Sequence, residues 1–410
     1  MPERTTDSDH LITGPTPFRS IGGLTPETEM LTVSGPKRAS AVSVGEPVYA
    51  LNPDTGLLKQ KPVASVETVR PQAPLVEITS LRADLRLEAT HPIYFQTKTI
   101  DRPRTVQARH LDDRVYYRFL NDWRPLPGQR LGTVDLTDLT ERYEARVHYD
   151  GHGNAFRARL PDGCEPCRGY GHTGYHFDST TFKRHQATLE RLGTHVEICS
   201  GPHSWGRPYR FDGDDFLALL GWYITEGSIT PKNNRDSVAI KIAQEDPAGR
   251  ERLHALFDRL GIDAAVSDRA FSFGSSVYAD VLERLCGGSS TERHLPWFIW
   301  SLCQAQQQHL LDVLVAGDGD ARGTYYTASR DLARDLLRLS AHIGRKPQYQ
   351  VRKGNWRIST SSMRDGFRSD RNVRWLPPRG PVVRLTVEDY PAVLAGRNGN
   401  FQWVGVSRLA

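Results

Sequence analysis

Two nine-residue stretches constrain this chain more than anything else in it. Leu219-Leu220-Gly221-Trp222-Tyr223-Ile224-Thr225-Glu226-Gly227 and Leu311-Asp312-Val313-Leu314-Val315-Ala316-Gly317-Asp318-Gly319 each close an apolar helical pattern with an acid and a glycine. The same order of elements follows each. After the first come a strand, Val238 to Ile242, a helix ending at Leu260-Gly261-Ile262, and a strand around Ala270 to Phe273. After the second come a strand, Thr324 to Ala328, a helix ending at His342-Ile343-Gly344, and strands from Gln348 to Val351 and Trp356 to Ser359. Duplication explains this better than chance likeness. Two such helices bury their apolar faces against each other, and Gly221, Thr225 and Gly317 are small enough to let the backbones approach closely. The acid ending each helix then emerges beside its mate. The macrodipole disfavours negative charge at that end, and two facing carboxylates repel unless a cation lies between them. Oxygen donors suit Mg²⁺ or another divalent cation. Either helix taken singly also reads as a buried amphipathic helix with a surface acid.

Both nonamers resemble the LAGLIDADG motif, and roughly 211–365 resembles a two-repeat homing endonuclease of the dodecapeptide type. The resemblance implies metal-dependent double-strand cleavage of DNA at a long asymmetric site, with Glu226 and Asp318 as catalytic residues and Mg²⁺ ligands. A monomer suffices, because duplication supplies the pseudo-twofold symmetry. Val313 stands where a small residue is expected, so packing there is expected to differ. Asp320, just past the second acid, reads as solvated or as a residue that tunes the metal. Strands fit the major groove. Lys241 in the first repeat and Arg345, Lys346, Arg352, Lys353 and Arg357 in the second are the candidate DNA contacts, with Tyr349 and Trp356 among them. As a group they point to a nucleic acid; any one alone reads as a solvated charge. The net charge of +5 permits a polyanionic partner.

The flanks carry a second resemblance. The stretch from Gly23 to Leu31, Val44-Gly45-Glu46-Pro47-Val48-Tyr49-Ala50-Leu51, Leu87-Glu88-Ala89-Thr90-His91-Pro92, Val383 to Glu388 and Phe401 to Ser407 resemble, in order, the blocks of an intein, whose Hint domain performs protein splicing. Thr90 and His91 match the pair that assists amide activation. The first step needs a nucleophilic Cys or Ser, and Gly23 has no side chain. Trp403-Val404-Gly405-Val406-Ser407 offers neither the Asn that cyclises nor its neighbouring His, and Arg384 and Pro391 replace an expected Asp and His. The expectation is a free-standing relative of inteins with splicing lost. Two rival readings stay open: a catalytically inactive DNA-binding or maturase-like protein, and an intein still active in splicing.

Cys164-Glu165-Pro166-Cys167 has zinc-knuckle spacing, with His172, His176, His185, His195 and Cys199 following. The expected Zn²⁺ ligands are Cys164, Cys167, His185 and His195, with a short finger helix between; exposed thiols in an insertion are the alternative. Cys286 and Cys303 read as buried thiols in helices.

Composition closes off other classes. With 410 residues, 38% hydrophobic and 8 Trp, 15 Tyr and 14 Phe, the chain has material for more than one core. No apolar run approaches the roughly 20 residues of a membrane helix, and MPERTTDSDH lacks a signal-peptide core, so a cytoplasmic chain without membrane partners is expected. The expected fold class is multidomain: an all-β Hint-like domain built from both chain ends, plus an α/β two-repeat LAGLIDADG endonuclease domain with pseudo-twofold symmetry. The expected map is a polar leader over 1–20 and a Hint-like N-terminal part over 21–120. A linker follows over 121–207, with a zinc-finger-like insert at about 161–200. The endonuclease spans 208–365, with repeats at about 211–290 and 291–365, and a Hint-like C-terminal part spans 380–410.

Overall fold

The computed structural model describes residues 22–98, 102–170, 174–231, 238–360 and 365–407. The leader, 1–20, and His172 lie outside the described residues. The chain divides into two compact units, Met1–Pro127 with Ala321–Ala410, and Gly128–Asp320.

The first unit is mostly antiparallel sheet. Its largest sheet has eleven strands, running Gly366–Arg368, Tyr116–Phe119, Pro92–Gln96, Gln402–Gly405, Ala392–Gly396, Glu29–Thr32, Pro47–Asn52, Leu57–Val69 and Val382–Val387, with Gly35–Arg38 and Arg104–Gln107 paired off this path. Early and late segments of the sequence thus share one sheet. Leu57–Val69 serves two partners, Pro47–Asn52 with its first part and Val382–Val387 with its second. The change comes just after Pro62, which faces Pro47; neither proline has an N–H to give the ladder. Pro47–Asn52 starts just after a turn at Val44-Gly45, with Gly45 at φ 85°. Met30, Val48, Ile93, Phe95, Val383, Val393 and Val404 meet in the core. Two three-stranded sheets complete the unit: Val373–Leu376, Leu75–Thr79, Asp84–Glu88; and Thr324–Thr327, Asn355–Ser359, Gln348–Arg352, the last packed by the helix Arg330–His342.

The second unit holds both acid helices, Gly213–Glu226 and Gln304–Asp318. The first starts at Asp212, whose carboxylate accepts the Asp214 N–H. Beside them lie a sheet ordered Gly227–Pro231, Val238–Ala243, Ala270–Gly274, Ala265–Val266, and the helices Pro247–Leu260 and Ser276–Cys286. The expected elements follow each acid helix in the expected order, but the first copy also has the strand Gly227–Pro231 directly after its helix and the short strand Ala265–Val266. The unit boundary, however, falls at Asp320, so the strands after the second acid helix belong to the first unit.

Residues 144–199 form a layer more substantial than a linker with a finger. Arg168–Tyr170, Gly174–Asp178, Glu144–His148 and His195–Cys199 make a four-stranded sheet, packed by the helix Ser179–Leu192. Ala145, Val147, Tyr175, Phe177 and Ile198 alternate into its buried side, and Phe182 and Leu189 of the helix are buried too. Period-two alternation on three strands builds a core that a finger helix lacks.

Candidate active site

The acid helices touch where the small residues are. A Cβ built on Gly221 would lie 2.7 Å from Val313 Cγ1, and one on Gly317 would lie 2.5 Å from Thr225 Oγ1. Val313, the odd residue of its nonamer, therefore fills the space that Gly221 leaves. Thr225 turns its hydroxyl to Gly221 O at 3.1 Å. Gly221→Val is expected to cost about 1–3 kcal/mol by overpacking, read as a lower denaturant midpoint. Gly132→Ala, with nothing within 4 Å of the added Cβ, is expected to change stability by less than about 0.5 kcal/mol.

The acid-glycine step has one geometry in both helices. Gly227 and Gly319 are extended, at φ −82° and −95°, and each N–H returns to the fourth residue back, Tyr223 O and Val315 O. A Cβ on either would lie 2.4 Å from that same carbonyl oxygen. Only glycine lets the chain leave the helix so sharply just after the carboxylate.

Glu226 and Asp318 are both half-buried. Burial first, and then the Asp318 charge, raise the Glu226 pKa to about 7. The carbonyl ends of the helices add to the negative field. Arg293, 4% exposed, meets part of it: it donates to Gly227 O at 2.6 Å and to Gly287 O, and stacks on the Tyr223 ring at 4.1 Å. Nothing in the sequence singled out Arg293, because its partners are backbone carbonyls. A pH dependence follows. The folded carboxyl keeps its proton longer than the unfolded one, so this group lowers the stability of the metal-free protein as pH rises from about 4.5 to 7. A cation must displace that proton, so Mg²⁺ affinity is expected to fall about tenfold per pH unit below 7. Calorimetric Mg²⁺ titrations at several pH values check this.

The basic candidates divide. Lys241 is exposed on Val238–Ala243, opposite Ser228 and Ser272. In the other unit, Arg352, Lys353 and Arg357 line an open groove of about 600 Å³ with Tyr326 and Asn355, and Arg357 lies over the Tyr326 ring at 5.6 Å. Lys353 and Gly354, at φ 50° and 81°, form the two-residue turn that presents this hairpin. Lys346 and Arg345 do not join them. Lys346 is buried, donates to Gln402 Oε1 at 3.1 Å, and is lowered to about 8 by burial. Arg345 donates to Thr360 O at 2.6 Å. Tyr349 also faces inward, its hydroxyl on Glu29 and its ring beside Trp356. These residues lie where the chain leaves the helix Arg330–His342 and packs back onto its own unit, which the charge pattern alone does not show.

In the first unit early and late segments of the sequence meet. Leu24 and Val383 exchange backbone hydrogen bonds of 2.9 and 2.7 Å. His91, 2% exposed, turns Nδ1 to Gly22 O, and burial lowers its pKa to about 4. The next amide, Gly23 N–H, donates to Glu88 Oε2 at 3.0 Å. Gly22, His91, Arg384, Gly405 and Ser407 line a void of about 10 Å³. Thr90 stands against Gly22: a Cβ there would lie 2.6 Å from its Oγ1. Glu88, fully buried, also accepts Gln72 N–H and Ala73 N–H and faces Arg384 at 3.4 Å. The signal for it was an acid inside the apolar run Leu87-Glu88-Ala89.

The expected zinc set is not brought together. Among the described residues the metal-capable group is Glu144, His176 and Cys199, with donor atoms within 4.8 Å of one another. His185 sits on the helix Ser179–Leu192 with Nε2 buried and without a hydrogen-bond partner. His195 is 61% exposed and 3.7 Å from Glu197. The spacing suggested a finger helix, but this helix packs on the buried side of the sheet while Glu144, His176 and Cys199 occupy its other side.

Residues 215–295 match the model of the LAGLIDADG-like domain. That segment, which takes in the first acid helix from Asp215 on and not the second, is similar to a LAGLIDADG-like domain. No curated protein matches the sequence. Similar solved structures include a bacterial intein-like domain from Clostridium thermocellum, 23% identical, covering 25% of this chain and 67% of that one, with a TM-score of 0.21. Another is a DnaB intein from a Synechocystis species, 15% identical, covering 24% and 68%, with a TM-score of 0.20. A third is a DnaB mini-intein variant, 14% identical, covering 26% and 64%, with a TM-score of 0.21. The chain thus spans less than two thirds of that mini-intein's length. Among the described residues no helix is long and apolar enough to cross a membrane.

Proposed function

We propose that this chain is a splicing-defective relative of inteins whose activity is divalent-metal-dependent double-strand cleavage of DNA, carried out as a monomer. The observation that carries the reading is the acid pair: Glu226 and Asp318 end two closely packed helices, and the charge of one raises the pKa of the other. Two oxygen donors whose repulsion a cation relieves fit a hard ion that keeps several waters. Bound there, Mg²⁺ supplies water activation and stabilisation of the leaving oxygen in phosphodiester hydrolysis. The protein's part is to hold both carboxylates at fixed helix ends and to direct phosphates toward them. Lys241, exposed in the same unit as the acids, suits the second task, while Arg352, Lys353 and Arg357 line a groove of the other unit suited to phosphate. The Hint-like reading rests on the order of the sequence blocks and on a sheet that joins early and late segments.

The test is incubation of the purified chain with genomic DNA of its host and Mg²⁺, followed by mapping of ends. Paired breaks at one long site, absent with chelator, are expected. DNA binding without breaks under any divalent cation would favour the maturase-like reading and overturn this one.

A further inference from the structure

The exposed side of the sheet over 144–199 is unusual in what it carries. Glu144, Arg146 and His148 alternate on one strand, with His176 on its neighbour and His195, Glu197 and Cys199 on the other side. In an antiparallel ladder, paired residues share a face, and the register pairs Arg146 with both His176 and Glu197 and Glu144 with Cys199. The loop after Cys199 closes over part of this face, since Arg146 donates to Ser204 O at 2.8 Å. His176 and Cys199 are thereby 3% and 1% exposed. His176 Nδ1 lies 2.9 Å from Glu144 Oε2 and 3.9 Å from Cys199 Sγ. A second sulfur is close by. Cys167 N–H donates to His176 O at 2.8 Å, and its Sγ lies 3.2 Å from the same oxygen. Cys164 and Cys167 both lie outside the group of donor atoms within 4.8 Å of one another, Cys164 buried in the preceding turn and Cys167 exposed beside the His176 carbonyl.

We propose that this cluster is a structural zinc site whose ligands are Glu144, His176 and Cys199, with the Cys167 thiolate turning in from beside the His176 carbonyl as the fourth. Two thiolates, an imidazole and a carboxylate are a borderline-soft set that suits tetrahedral Zn²⁺ better than the hard cations. The site carries a net charge of −1 when filled, and two guanidiniums flank it. Arg168 pairs with Glu144, and Arg146 pairs with Glu197 at 2.9 Å. Binding releases the two thiol protons and moves the imidazole proton from Nδ1 to Nε2. Arg146 Nε, now 3.3 Å from Nε2, then keeps its guanidinium bonds to Glu197 and Ser204. The ion would tie the turn before Arg168–Tyr170 to the two inner strands and the edge strand His195–Cys199, where the described chain has no disulfide.

The test uses the full chain expressed in zinc-supplemented medium. Metal analysis is expected to find about one Zn per chain. His176→Asn and Cys199→Ser are each expected to lower this at least tenfold, whereas His185→Ala and His195→Ala leave it unchanged. A variant that does not fold is replaced by two measurements on the unaltered chain. Co²⁺ exchanged for zinc should give a thiolate-to-metal absorption band, and chelation should make the exposed Cys167 reactive to a thiol label. Unchanged zinc in His176→Asn and Cys199→Ser would overturn the proposal. So would a chain that takes up neither Zn²⁺ nor Co²⁺. Loss of zinc in His185→Ala would return the site to the finger arrangement.

Discussion

Glu226→Gln and Asp318→Asn are each expected to lower DNA cleavage by on the order of 10³-fold or more, and neither is expected to weaken DNA binding. The size follows from removing one of two carboxylates that hold the cation, a loss of several kcal/mol of charge stabilisation in the transition state. Both substitutions keep the side-chain volume, so the contact of Gly221 with Val313 and of Gly317 with Thr225 stays as it is. Each also removes negative charge that would face a polyanion. In the absence of metal, binding is therefore expected to persist or tighten slightly. Glu226→Gln carries a further signature: it abolishes the stability change between pH 4.5 and 7 that the raised carboxyl pKa produces. The measurement is a gel shift and a cleavage assay on one target, with each variant beside the wild type. Binding should weaken with salt by about 0.9 log unit per log salt for each phosphate neutralised. Full cleavage by either variant would remove that residue from the metal. Loss of binding in both would make the acids structural.

Freshly expressed chain remains one species of 46.1 kDa. The Gly22–Gly23 peptide is held as if for attack, its carbonyl against His91 and its N–H on Glu88. Gly23 carries no side chain to attack it, and at the other end Gly405-Val406-Ser407 has no Asn to cyclise. Restoring a thiol is not enough. A Cβ on Gly23 would lie 2.6 Å from Val382 Cβ and 3.1 Å from Val383 O, on a strand that is hydrogen-bonded in both directions to Leu24. Gly23→Cys is therefore expected to stay uncleaved over hours with added thiol, checked by mass spectrometry. Spontaneous fragments ending at 22 or 405 in the wild-type chain would show that processing survives.

How much was legible in the sequence depended on the range of the interaction. The paired acids were legible because helix periodicity and a terminal acid-glycine step are local, and two copies made the pattern recur. The strands Val238–Ala243, Thr324–Thr327 and Asn355–Ser359 were legible for the same reason: alternation has a period of two and needs no knowledge of the partner. His91 and the missing nucleophile at Gly23 could be read because they lie in short blocks. Sequence by itself thus determined the acid pair, the order of the elements and the absence of a nucleophile. Only the tertiary structure decided which polar residues face inward. Lys346 reads like Arg352 in the sequence, yet burial against Gln402 depends on a strand from the far end of the chain. Glu88 and Arg293 act on backbone groups whose identity no sequence displays. Cys199 replaced His185 and His195 beside a histidine because strand register, set by distant pairing, chooses which donors share a face.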